Sequence, residues 1–176
     1  MTDLDELLER FEELDDDQER GVILCCAVAG DDCTNTELMR RVNEAGFRSA
    51  RGTKLSKDWN AMRARLIREG LLVNDTSRIR CPPTLGQALA QRAAEDGSYE
   101  ALCQVIGRST AGYGPANRFD RTGMCDSPEE LGIHLRHALY RQRPDLATGI
   151  LAGSRSLKRK PGWRLIAGRF WAQVFG

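Results

Sequence analysis

Residues 21–30 read GVILCCAVAG. A helix through them is apolar on almost every face, so it is stable only where other elements surround it. This segment sets the architecture: a central core helix over Asp17–Ala29, with the rest of the chain packed around it. Asp16 and Glu19 stand at N-cap and N3 spacing ahead of it, and Gly30 supplies a C-terminal stop. With 176 residues, 41% of them hydrophobic and 29% charged, the chain has material for one domain or two small ones.

Two further helices precede the segment that carries the chemistry. Leu4, Leu7, Leu8, Phe11 and Leu14 recur at helical spacing and predict an amphipathic helix over Asp3–Leu14, capped by Thr2, whose other faces are acidic. Thr34 and Glu37 form a T-x-x-E capping box for a helix over Asn35–Ala45, with Leu38, Met39 and Val42 inward and Arg40 and Arg41 outward. A connection over Gly46–Leu55 carries Arg48, Arg51 and Lys54, with Gly52 permitting a tight bend. It is longer than the turn of a compact helix-turn-helix. A basic helix follows over Lys57–Glu69, capped by Ser56 and stopped by Gly70. Trp59, Met62 and Leu66 share one of its faces, Asn60, Arg63 and Ile67 a second, and Lys57, Ala64 and Arg68 a third. Leu71–Val73 and Arg78–Cys81 read as two short strands around the turn sequence Asn74-Asp75-Thr76-Ser77.

The net charge of +1 conceals a strong asymmetry. Residues 1–20 hold ten acidic groups against Arg10 and Arg20, a net −8. Residues 36–80 carry a net +6, and residues 132–176 a net +8. An acidic start beside two basic segments implies either a polyanion-binding surface or internal charge pairing.

In the second half, helices are expected over Leu85–Asp96, capped by Thr84, and Tyr99–Ile106, capped by Ser98. Residues 107–126 show no period and read as a loop and boundary. Ser127-Pro128-Glu129-Glu130 is a helix start, and Pro144 breaks that helix, so residues 128–152 resemble an antiparallel helical hairpin. A basic linker over Ser154–Gly162 leads to a last amphipathic helix, Trp163–Phe175. The domain organisation expected is therefore 1–106, a boundary at 107–126, and a helical subdomain at 127–176. The chain stops directly after an apolar helix, which suggests the N-terminal piece of a longer protein.

Motifs for catalysis are missing from the sequence: no GxxxxGK[ST], GxGxxG, HExxH or GxSxG occurs. GRSTAGYG at 107–114 lacks the lysine of a phosphate loop, and His134 and His137, at i and i+3, lack further ligands nearby and suit cap or surface roles. The six cysteines, at 25, 26, 33, 81, 103 and 125, contain no CxxC pair. With no signal peptide they are expected to be reduced, in the cytoplasm, and no apolar run approaches the about 20 residues of a membrane span. The expectation is a non-enzyme with no cofactor and no metal.

The sequence GFRSARGTKLSKDWNAMRARLIREGLL, residues 46–72, resembles the winged-helix pattern of glycine, arginine-glycine, helix start, hydrophobic residue and G-L-L before the wing. The resemblance implies a mainly α fold, three helices plus a short β-hairpin, followed here by helical hairpins. It also implies DNA binding, since the second helix of a helix-turn-helix lies in a DNA groove. The candidate contacts are Arg48, Arg51, Lys54 and Lys57 on phosphates, Ser56 at the helix start, Asn60 on adenine and Arg63 on a base edge. More loosely, the order of an acidic leucine helix, a winged helix ending in EGLL and helical pairs resembles the N-terminal region of large bacterial SNF2-type helicases. That implies an accessory domain docking nucleic acid, or other domains of the same longer chain, for a motor elsewhere. Three alternatives stand beside it. A solvated basic face covered by the acidic first helix needs no ligand, a protein-interaction scaffold binds no nucleic acid, and an enzyme would need a pocket around His134.

Overall fold

A computed structural model describes residues 3–56, 58–75, 78–110, 119 and 128–153. The fold is mainly helical, with eight helices and one three-stranded antiparallel sheet among the described residues. The chain divides into two compact units, Met1–Tyr113 and Gly114–Gly176. The expected helix over Trp163–Phe175 and the linker before it lie outside the described residues.

In the first unit, α1 (Leu4–Glu12) and α2 (Asp17–Ala29) lead into the strand β1 (Cys33–Thr34) and then α3 (Asn35–Glu44). α4 (Trp59–Arg68) is followed by the hairpin strands β2 (Val73–Asp75) and β3 (Arg78–Arg80). α5 (Pro83–Glu95) and α6 (Tyr99–Thr110) close the unit. As its sequence requires, α2 is the centre: Val22, Ile23, Cys25 and Val28 are fully buried, with α3, α5 and α6 against them. Fully burying one such aliphatic side chain contributes about 1.5–3 kcal/mol, so this helix organises the core. Its start is capped by Asp16, whose carboxylate accepts the Gln18 N–H at 2.8 Å, and Gly30 closes it in the left-handed region at φ 67°. The expected reciprocal role of Glu19 is not taken. Glu19 is buried and pairs with Arg65 of α4 instead, because a buried carboxylate needs a cation more than a backbone amide does.

The capping box of α3 forms as its sequence predicts. The Glu37 N–H donates to Thr34 Oγ1 at 3.2 Å, and the Thr34 N–H donates to Glu37 Oε2 at 2.9 Å. That second bond is the main reason the Glu37 carboxyl is held below its ordinary range. Arg41, expected to face out, is buried to 1% exposure. Its guanidinium donates to Asp31 at 3.1 Å, from the loop before β1, so the charge is carried inward by a partner the helical period does not reveal. β1 was not legible at all. It is two residues long and exists through its pairing with β3, Cys33 opposite Ile79 and Thr34 opposite Arg78. The sheet order is β1-β3-β2. The hairpin starts two residues later than expected: Leu71 and Leu72 are buried core residues, and Asn74 and Asp75, assigned to a turn, pair with Ile79 and Arg78. Likewise α5 begins at Pro83, not Leu85, and α6 runs on to Thr110, into the stretch read as loop.

Two cysteines of α2 join Cys33 and Cys81 in the buried interior. Burial pushes the Cys25 thiol up to about 12. The hydrogen bond between Cys26 and Cys33 raises Cys26 well above the ordinary thiol value and lowers Cys33. The second unit contains α7 (Pro128–Tyr140) and α8 (Pro144–Gly153), packed as a hairpin on Leu131, Leu135, Ala138, Leu146 and Ile150. His137 is not the surface residue its spacing suggested; it is fully buried and stacks on Phe119 with ring centroids 3.6 Å apart.

Candidate nucleic-acid interface

The connection between α3 and α4 is a folded turn. Gly52 N–H donates to Ser49 O at 2.7 Å, and Ser49 N–H donates to Thr53 O at 3.2 Å. The Ser49 and Thr53 hydroxyls bond each other at 2.6 Å. Gly46 and Gly52 take φ of 90° and 72°, which L side chains rarely adopt. The base of the turn is clamped from two helices. The Asn43 amide on α3 embraces the Leu55 backbone, donating to its carbonyl at 3.1 Å and accepting its N–H at 2.8 Å. Gln18, at the start of α2, donates to Thr53 O at 3.1 Å. Phe47 seats its ring on Gly21, where an ideal Cβ would come within 2.6 Å of the Phe47 Cβ. Buried Leu55 completes the anchor.

This frame decides where each expected contact stands. Arg51, Lys54, Ser56 and Asn60 are exposed. Arg48 is half-buried and donates to the carbonyls of Asn43 and Phe47 at 2.9 and 2.7 Å, so it holds the turn together. Arg63 is half-buried too. Its Nη1 donates to Asn35 Oδ1 at 3.0 Å, an oxygen shared with Trp59 Nε1 at 2.9 Å. Lys57 lies outside the described residues. Ser56 does not cap α4: the helix begins at Trp59 behind Asp58, which makes no side-chain cap. An acidic residue at that end disfavours a phosphate there.

α4 is held by polar tethers along its length: Asn35 on Trp59 and Arg63, Glu19 on Arg65, and Arg10 donating to Glu69 O at 2.6 Å. The residues it leaves exposed are Asn60, Ala61, Ala64 and Arg68. Among the described residues, no hydrogen bond or ion pair reaches the side chains of Arg40, Arg51, Lys54 or Arg68. The cations Arg40 and Arg68, and the supports Gln18, Glu19, Asn35 and Asn43, are not among the site residues expected from the sequence. Arg68 and Arg40 carried a visible exposure signal in their helical period, whereas the supports act across long sequence separations.

The acidic first helix does not compensate the turn through any ion pair in the described residues. Glu6 pairs with Arg10 of its own helix at 2.5 Å, and Glu12 pairs with Arg92 of α5 at 2.6 Å. Its apolar stripe, Leu7 and Phe11, is buried. The hairpin arginines Arg78 and Arg80 lean toward Asp32, on its carbonyl at 3.3 Å and its carboxylate at 3.9 Å. No group of three or more His, Cys, Asp or Glu side chains among the described residues is arranged to hold a metal ion, and no helix there is long and apolar enough to cross a membrane. No protein-family model matches the chain, and neither a curated protein nor a solved structure matches it.

Proposed function

We propose that residues 17–80 are a winged helix-turn-helix module that binds double-stranded DNA, acting as a non-catalytic accessory part of a longer protein. The element order supports the winged-helix assignment: helix, short strand, two helices and a hairpin, with β1 completing the sheet beside β3. The observation that carries the DNA reading is the clamped turn ahead of α4, which holds Arg51 and Lys54 exposed and, among the described residues, without an acidic partner. A cation fixed in water with no protein partner is free to replace a phosphate counterion, and the release of those counterions drives binding. The looser resemblance to the N-terminal regions of SNF2-type helicases gives the biological setting: the module would hold DNA for a motor elsewhere.

The test is binding of the purified chain to a labelled random-sequence duplex at low and moderate salt. The expected result is affinity that falls linearly on logarithmic axes as salt rises. Absence of binding at low salt would sink the DNA reading. One observation favours a second reading, a protein-interaction scaffold: Asp3, Asp5, Glu9 and Glu13 of the first helix region are exposed and present an acidic face suited to a basic partner. Retention of a basic protein ligand by a chain that ignores DNA would support it.

A further inference from the structure

We infer that the module grips duplex DNA through its phosphates alone, with the Ser49–Lys54 turn as the gripping element and no reading of base sequence. The inference rests on the proposed function and assigns the division of labour within that site.

Direct readout in the major groove needs long donor side chains aimed outward from a helix, above all arginine on guanine. α4 has three arginines in its span, and two are tied to partners within the protein. Arg63 is bonded to Asn35 and Arg65 to Glu19, whose carboxylate is buried. Aiming either of them at a base would break those bonds and leave the Glu19 charge unpaired in the interior. The solvent side of the helix offers two methyl groups, Ala61 and Ala64, between Asn60 and Arg68. Asp58 at the N-terminal end opposes any phosphate approaching there.

The turn has the opposite properties. Its backbone is fixed by the Ser49–Thr53 bonds, by the Asn43 amide on Leu55 and by Gln18 on Thr53. Those contacts order the loop in the free protein, so little further order is lost on binding. The two cations it carries are exposed and end in flexible stems that suit a phosphate. Phosphate contacts position a protein on the duplex but carry no sequence information.

The experiment measures affinity for three labelled duplexes of equal length, A·T-rich, G·C-rich and mixed, across a salt series. The chains compared are the wild type, Asn60→Ala and the double variant Arg51→Ala, Lys54→Ala, all checked for unchanged thermal unfolding. One bidentate base contact discriminates by about five- to 150-fold, so affinities equal to within about threefold across the duplexes are expected. Asn60→Ala should leave them unchanged. Loss of two phosphate contacts should make the slope of log K against log salt shallower by about 2. A preference of about tenfold or more for one duplex, abolished by Asn60→Ala, would overturn the inference while leaving the DNA reading intact. An unchanged slope in the double variant would also overturn it. Failure of the wild type to bind any duplex at low salt would instead refute the DNA reading itself.

Discussion

Replacing Gly21 with alanine should destabilise the protein, although the same change in an open helix would stabilise it. In a helix interior alanine is favoured over glycine by about 1 kcal/mol. At Gly21 the new methyl would lie 2.5 Å from Phe47 Cδ2 and 2.6 Å from Phe47 Cβ, with Cγ nearer still. Rotating the ring relieves the first contact but does not move Cβ, so the backbone of the α3–α4 connection must shift. Overpacking of this severity belongs at the upper end of the about 1–3 kcal/mol such insertions cost, leaving a net loss of about 1–2 kcal/mol. In urea the midpoint should fall by about 0.5–1 M with an unchanged slope. A double-mutant cycle isolates the cause: in a Phe47→Gly background the ring and its Cβ are both gone, and Gly21→Ala should become neutral or stabilising. Because Phe47 anchors the connection, the single variant should also bind DNA more weakly. A single variant as stable as wild type, or effects that simply add in the cycle, would refute the packing argument.

Asp31→Ala should destabilise by about 3 kcal/mol in urea, because it strands the buried Arg41 charge, whose Nε already has no hydrogen-bond partner among the described residues. Glu37, held below its ordinary value by the Thr34 N–H, contributes stability that is complete above the unfolded carboxylate value of about 4.3 and lost as pH falls through the lower folded value. Glu37→Gln should therefore flatten the acid limb of the urea midpoint against pH; an unaltered limb would show that the capping box does not titrate with folding. Cys25, Cys26, Cys33, Cys81 and Cys103 should label slowly with a thiol reagent in the native protein and quickly in urea, with Cys25 kept a thiol by its value of about 12. Removal of residues 1–15 takes away buried Leu7, Phe11 and Leu14 and should lower stability without raising DNA affinity, since Glu6 and Glu12 of α1 pair with Arg10 and Arg92 and, among the described residues, no acid of α1 pairs with the turn. A sharp rise in affinity would mean that α1 covers the turn.

What the sequence reveals of this fold follows from how local each signal is. α2 was legible to the residue because its apolar run and Gly30 stop act over one helix. The Thr34–Glu37 box and the α7–α8 hairpin were legible for the same reason. β1 was not, because two residues become a strand only through Ile79, 46 positions away. The sequence predicts α4 from Lys57 with Ser56 as its cap because serine caps helices, yet Asn43 holds the adjoining Leu55 backbone in the turn and the helix begins at Trp59. For the candidate site, the density of cations between Arg48 and Arg63 was plain in the sequence. Their fates were not. Arg63 is drawn in by Asn35, 28 positions earlier, and Arg48 is bonded to carbonyls of the turn, so charge count alone overstates the outward-facing set.

The most direct test of the central claim is an amide NMR titration of the chain with a short mixed-sequence duplex at low salt. The account predicts that the largest shifts fall on residues 49–56, with smaller ones at the exposed positions Asn60, Ala64 and Arg68 of α4, and that all of them fade as salt is raised. Shifts confined to α1 or to the α7–α8 hairpin, or a spectrum the duplex leaves untouched, would contradict it.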